Sequence, residues 1–166
     1  MSTRCHIIVE DPSYGDQTIL YRHSDGYPDG EHGVLASLVP FVARFMKHRG
    51  FFDACFLGAQ IICDQINRYR EYMRASLQRR VDRLRAEGNG DDHWLVKADL
   101  DMLANVDNDF LGFGISNEIH GDVEFIYRVT PEGIHVEYPS GERLTDDAEA
   151  AAMLKGEIPE RFKGEA

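Results

Sequence analysis

VEFIYRVTPEGIHVEY, residues 123–138, is the stretch whose reading decides the fold. Val123, Phe125, Tyr127 and Val129 alternate with Glu124, Ile126 and Arg128. A period of two is that of a strand with one buried face, the usual pattern of an antiparallel sheet. Thr130-Pro131-Glu132-Gly133 is turn chemistry, and it joins this run to a second strand over 133–138.

The N-terminus repeats the device. CHIIV (5–9) and TILYRH (18–23) flank the turn EDPSYGD, which holds Pro12 and Gly15, so a hairpin is expected over residues 5–23. LGFGIS (111–116) supplies a fifth strand. Between these β-runs the period changes. Val34, Leu35, Leu38, Val39, Val42, Phe45 and Met46 recur at spacings of three and four, as on an amphipathic helix. Pro40 falls inside that pattern, so the helix is expected to bend there or to start later. Lys47, His48 and Arg49 suit a helix C-terminus, and Gly50 stops it. Asp53 caps a second helix that runs to Ala86.

At about 1.5 Å per residue that second helix spans roughly 50 Å, longer than a small domain is wide. It is therefore expected either to break or to pack its distal half on another chain, as in a homo-oligomer. Residues 94–106 are short and ambiguous. Thr145-Asp146-Asp147 opens a short helix over 148–154, and the tail 156–166 reads as loose. The sum is an α+β fold in a single domain, 1–166. It has an antiparallel sheet of about five strands, the N-terminal hairpin plus the C-terminal strands of 111–138. Two main helices, within 33–87, pack on one face.

Composition narrows the function. The opening MSTRCHIIVE lacks an apolar signal region and no apolar run approaches the roughly 20 residues of a membrane span. A cytoplasmic protein without membrane contact is expected. Three cysteines, Cys5, Cys55 and Cys63, argue against a disulfide framework. Cys55 and Cys63 lie two helical turns apart and are read as buried thiols. The net charge of −11 is uneven. Residues 68–85 hold seven Arg against two acids, whereas residues 86–166 hold nineteen acids against six bases. Overall acidity disfavours nucleic acid as a partner.

Two His-x-Asp pairs are the candidate chemistry: His23-Ser24-Asp25 after the second strand and His120-Gly121-Asp122 before the strand at 123. Residues two apart on extended chain point the same way. His23, Asp25, His120 and Asp122 would suit a divalent metal and a metal-dependent hydrolase if the sheet brought them together. Turn chemistry explains each Asp equally well, since Asp25 precedes Gly26. The default is no cofactor. Tyr27 belongs to the same loop, 23–33, which leads into a helix. Arg68, Arg79 and Arg83 spread around their helix. They would contact an acidic partner or nucleic acid, or pair with the chain's own acids. No Gly-x-Ser-x-Gly occurs, and neither Ser24 beside His23 nor Cys5 beside His6 makes a nucleophile pair, because adjacent strand residues point to opposite faces.

The opening MSTR, with Tyr21-Arg22-His23-Ser24-Asp25-Gly26-Tyr27-Pro28 and the later Ile119–Tyr127 segment, resembles a group of small phage and bacterial proteins. They begin with Met-Ser-Thr-Arg and carry Tyr-x-His-x-Asp-Gly-Tyr-Pro. The resemblance covers some 30 residues. It implies a shared fold and a phage or prophage origin, and carries no catalytic assignment; the long Arg-rich helix departs from the shorter members. The functional expectation is a non-enzymatic binding protein acting through an acidic surface and the 23–33 loop. The alternatives are the metal-dependent hydrolase and nucleic-acid binding by residues 68–85.

Overall fold

The computed structural model describes residues 3–107 and 112–164. Their elements are β1 (Cys5–Asp11), β2 (Asp16–Arg22), α1 (Val34–Arg49), α2 (Ala54–Ala86), α3 (Trp94–Asn105), β3 (Phe113–Ser116), β4 (Phe125–Val129), β5 (Ile134–Glu137) and α4 (Asp147–Met153), with a closing 3-10 turn at Glu160–Phe162. The fold is α+β with five strands, as expected. Leu111, the first residue of the strand read over 111–116, lies outside the described residues. Among the described residues no helix is long and apolar enough to cross a membrane.

The chain divides into two compact units, Met1–Cys63 with Gly112–Ala166, and Asp64–Leu111. The first holds the sheet, ordered β3-β2-β1-β4-β5. Three of its four pairings are antiparallel; β1 and β4 pair in parallel, with Cys5 opposite Phe125 and Val9 opposite Val129. The fully antiparallel sheet therefore needs one correction, and topology gives the reason. β2 lies between β1 and β3 and is antiparallel to both, so β3 and β4 run the same way. They are joined only by residues 117–124. Eight residues reach at most about 29 Å, enough to cross the roughly 14 Å of three strand spacings and return to the start of β4. That short crossover has to lie on one face of the sheet.

The two main helices lie on the other face. Cys5, Ile7, Val9, Leu20, Tyr127, Val129, Ile134 and Val136 share one core with Val34, Leu35, Leu38, Val39 and Val42 of α1 and Ala54, Leu57 and Ile61 of α2. α1 starts where the apolar period starts, passes through Pro40, and ends on Gly50 in the left-handed region (φ 75°). A later start, the one alternative to a bend, is thus excluded. Asp53 caps α2, accepting from the Phe56 N–H at 2.9 Å. Gly58 sits against Thr18 so closely that a Cβ there would lie 2.7 Å from Thr18 Cβ. That glycine seats α2 on β2. Because the buried stripe is Ala54, Leu57 and Ile61, Cys55 is turned outward; Cys55 and Cys63 are exposed, and only Cys5 is buried.

Asp146 and Glu149 form a reciprocal capping box at the start of α4. The tail is better anchored than its composition indicates. Phe162 is buried in the core, Arg161 pairs with Glu149, and Gly30 N–H donates to the Phe162 carbonyl at 3.2 Å. The Arg161 guanidinium holds the Glu149 carboxyl down at about 2.

The second unit is a helical hairpin. α2 does not break, and residues 94–105, ambiguous in sequence, form α3. Ion pairs run antiparallel along it: Arg85 with Asp91, Arg80 with Asp99, and Arg74 and Arg70 with Asp107. Leu77, Val81, Val96 and Val106 are buried. The distal stripe of α2 thus finds cover within its own chain at Leu77 and Val81.

Gly58→Ala tests the helix seat. At an exposed helix position Ala gains about 1 kcal/mol over Gly, but overpacking a tight contact costs about 1–3 kcal/mol. Thr18 Cβ is fixed by the ladder and cannot retreat. We expect thermal unfolding of Gly58→Ala at a lower Tm than wild type; a higher Tm would contradict the seat.

Candidate functional site

The crossover makes the site. His6 lies on the sheet face opposite the helices and is fully buried. Its Nε2 accepts the His120 backbone N–H at 2.9 Å, and its Nδ1 lies 3.1 Å from the Leu20 carbonyl. A backbone N–H can only donate, so Nε2 carries no proton and Nδ1–H donates to Leu20. His6 is held neutral in one tautomer. Its pKa is lowered, mainly by burial and less by neighbouring His120, against the raising effects of the Leu20 bond and Asp122.

Around it stand Tyr21, tilted at 5.4 Å, and His120, edge-on at 5.1 Å; Tyr21 and His120 are themselves 4.8 Å apart. His23 meets Tyr21 edge-on at 6.3 Å. Ser116 Oγ donates to the Glu118 carbonyl at 2.6 Å, so it accepts from His120 Nε2–H at 3.0 Å. This direction is the reverse of what a nucleophilic serine needs, where the imidazole accepts the hydroxyl proton.

The two His-x-Asp pairs therefore meet only in part. Tyr21 stands between His23 and His120, but the carboxylates are occupied elsewhere or turned locally. Asp122 pairs with Arg4 at 2.5 Å. Asp25 takes the left-handed conformation (φ 53°) of a turn residue. Among the described residues no three His, Cys, Asp or Glu side chains gather as a metal ion requires, so the four-ligand set is not assembled.

The 23–33 loop is a packed corner. Arg22, 8% exposed, donates to the Ser24 carbonyl at 2.7 Å and the His32 carbonyl at 3.4 Å, and its guanidinium lies 5.6 Å from the Phe113 ring centre. Tyr127, on the helix side, donates its hydroxyl to the Gly26 carbonyl at 2.8 Å. Gly26 N–H donates to Thr3, and a Cβ on Gly26 would sit 2.8 Å from backbone of Arg4 and Cys5. Tyr27 is half-buried and its carbonyl accepts Val34 N–H at 2.9 Å, setting the start of α1. The glycines serve close approach and turning.

On the same face as His6, Arg128 bonds Glu137 at 2.7 Å and Glu10 at 3.0 Å, an ion triad over three strands. His135, beside it, has its pKa lowered, chiefly by burial and next by Arg143. Burial pushes the Cys5 thiol up to about 12, so that thiol is not a nucleophile at neutral pH. In the second unit, Arg68 pairs with Asp64 at 2.7 Å. Arg79 and Arg83 are exposed with no ion pair among the described residues.

Sequence reasoning missed His6, Tyr21, Ser116 and Arg22. His6 interrupts the apolar run CHIIV, and a histidine there was the available signal. Comparison with protein-family models, with curated proteins and with solved structures gives no match.

The pinned imidazole has a pH signature. Both His6 and His135 have folded-state pKa values below the ordinary value of about 6.5. Below about 6.5 the unfolded chain binds protons that the folded one refuses. Stability is therefore full above that pH and falls as pH drops through the lowered folded values, by at most about 1.4 kcal/mol per pH unit per histidine. Denaturant unfolding from about pH 8 to about pH 5 should show this fall in wild type, a shallower one in His6→Gln, and the shallowest in His6→Gln/His135→Gln. An undiminished slope in His6→Gln would refute the assignment.

Proposed function

We propose that this chain is a non-enzymatic binding protein that engages basic segments of protein partners through its acidic surface. One observation carries the reading: the distribution of ion pairs. The cations of residues 68–85 are largely neutralised within their own unit, Arg68 by Asp64, Arg70 and Arg74 by Asp107, Arg80 by Asp99 and Arg85 by Asp91. Meanwhile Asp16, Asp29, Glu31 and Glu118 are exposed with no ion pair among the described residues. The excess of −11 thus resides in carboxylates open to a partner, and such fields steer oppositely charged proteins. Asp29 and Glu31 ride on the pinned 23–33 loop, so little conformational entropy is lost on contact. The histidine cluster supports the same reading, because its serine and its buried imidazole are committed to structural bonds. The resemblance to small phage and bacterial proteins fits a chain whose role is to engage a host protein.

Fluorescence anisotropy with a labelled Lys/Arg-rich peptide tests this. The peptide is expected to bind, and to weaken several-fold between about 50 and about 200 mM salt as screening grows; a Glu-rich counterpart is expected not to bind. No binding of the cationic peptide at the lower salt would refute the reading.

A further inference from the structure

β3 is the outer strand of the sheet, and among the described residues no strand pairs with its free edge. It carries no charge and no proline: Phe113, Gly114, Ile115, Ser116. Those are the usual means by which edge strands avoid pairing with other chains. In an antiparallel ladder alternate residues direct their N–H and C=O away from the partner strand, so β3 presents backbone groups outward.

Ile115 pairs with Leu20, whose side chain joins the helix-side core. Ile115 therefore points toward the helix layer, yet it is 72% exposed. The reason is the seat of α2 on Thr18 of β2 through Gly58, which leaves β3 uncovered. Between β3 and α2 lies a groove of about 320 Å³ lined by Thr18, Ile19, Cys55, Ala59, Ile115 and Ser116. One end of it, at Gln17, adjoins a second depression bounded by Glu10, Asp11 and Asp16. Glu10 and Asp11 are engaged by Arg128 and the Ser13 N–H; Asp16 is exposed and unpaired among the described residues, as is Glu118 just after β3.

We infer that this groove docks an extended, basic segment of a partner protein, which adds to β3 as a sixth strand. The inference rests on the function proposed above and names its binding mode. Side chains of an added strand alternate between faces. Apolar ones at every second position enter the groove beside Ile115, Cys55 and Ala59, and the basic ones between them project over the face that carries Glu118. Backbone bonds supply affinity and the alternate side chains supply selectivity. Charge selects this occupant over a second copy of the chain. Asp16 and Glu118 complement a basic segment, whereas two copies paired through β3 would bring together two chains that each carry a net charge of −11.

Cys55 lies in the groove and Cys63 outside it, both exposed, so the chain carries its own probe and control. The test uses the intact protein and a short labelled peptide of alternating Val and Lys, with a Lys–Ser peptide of equal charge for comparison. We expect the Val–Lys peptide to bind tighter than Lys–Ser. When bound it should slow iodoacetamide alkylation of Cys55 several-fold, leave Cys63 unchanged, and protect β3 amides from hydrogen exchange. Ile115→Lys, a surface substitution, should weaken it on the order of tenfold, and Asp16→Asn/Glu118→Gln should weaken it and flatten its salt dependence. If cationic peptides bind but Cys55 and the β3 amides stay unprotected and Ile115→Lys has no effect, the docking site is overturned while the acidic-surface reading stands. If no cationic peptide binds, both fall. If sedimentation shows a dimer that Ile115→Lys dissociates, the edge belongs to a second copy and the inference is overturned.

Discussion

The structure depends on a crossover of eight residues. β3 and β4 run in the same direction at different positions in the sheet, and only residues 117–124 join them. Parallel strands ordinarily need a dozen residues or more, usually with a helix, to make that connection. This chain does it with a short segment of bends and one turn, with no helix in it, and so that segment must lie flat on the sheet. Its backbone groups then need partners on the sheet itself. His6 supplies one at the midpoint, accepting the His120 N–H, and Arg4 supplies another at the far end, its carbonyl accepting the Glu124 N–H at 2.9 Å while its guanidinium pairs with the Asp122 side chain. The result is a sheet covered on both faces, by helices on one side and by a loop, a small apolar group of Ile8, Ile19, Val123 and Ile126, and the Glu10–Arg128–Glu137 triad on the other.

What was legible in the sequence follows from this. Local signals were read well because local chemistry determines them. Asp53 caps α2, Gly50 ends α1, Asp146 caps α4, and the turns at residues 12–15 and 130–133 close the two hairpins. Non-local decisions were not readable. The alternation of Phe125, Tyr127 and Val129 gives the helix-side face of β4 but not its neighbour, and the parallel partner β1 is set by where the crossover lands; Val123, read as part of that face, precedes β4 and packs with Ile8, Ile19 and Ile126 on the other. His120-Gly121-Asp122 has turn composition, and nothing local says that its amide must reach a histidine 114 residues earlier. The outward turn of Cys55 depended on the packing of Gly58 against Thr18, a contact between elements far apart in sequence. α3 was ambiguous because its buried positions are few, Val96 and Asp99 among them, and the second is a carboxylate whose cover comes from Arg80.

The charge asymmetry also changes meaning once folded. A run of seven arginines inside an acidic protein invites a nucleic-acid reading. Its acids, however, are supplied from Asp64 and from the segment immediately downstream, in an antiparallel order that a helical hairpin requires. Exposed pairs of this kind contribute little individually, roughly 0–1 kcal/mol each. Their consequence is electrostatic: five of the seven arginines have a carboxylate beside them, which weakens the positive field of this segment. The Asp99 carboxylate, nearly fully buried, stands apart from these. One oxygen meets Arg80 at 3.1 Å and the other has no partner among the described residues, so it specifies the pairing of the hairpin more than it stabilises it.

Finally, the histidine cluster and the edge strand belong to one chain of hydrogen bonds. Leu20 carbonyl receives His6 Nδ1–H, His6 Nε2 receives the His120 amide, His120 Nε2–H reaches Ser116 Oγ, and the Ser116 hydroxyl reaches the Glu118 carbonyl. His120 donates in both directions along this path, its backbone N–H inward to His6 and its ring Nε2–H outward to Ser116. Ser116 is the last residue of β3 and lines the groove. The buried imidazole that holds the crossover down therefore also orients the end of the edge strand. Protonating His6 would turn its acceptor into a donor facing the His120 N–H, and the bond that anchors the crossover would be lost. The interaction that closes the fold and the surface most open to a partner are thus parts of the same polar network, separated by a single residue of the crossover's path.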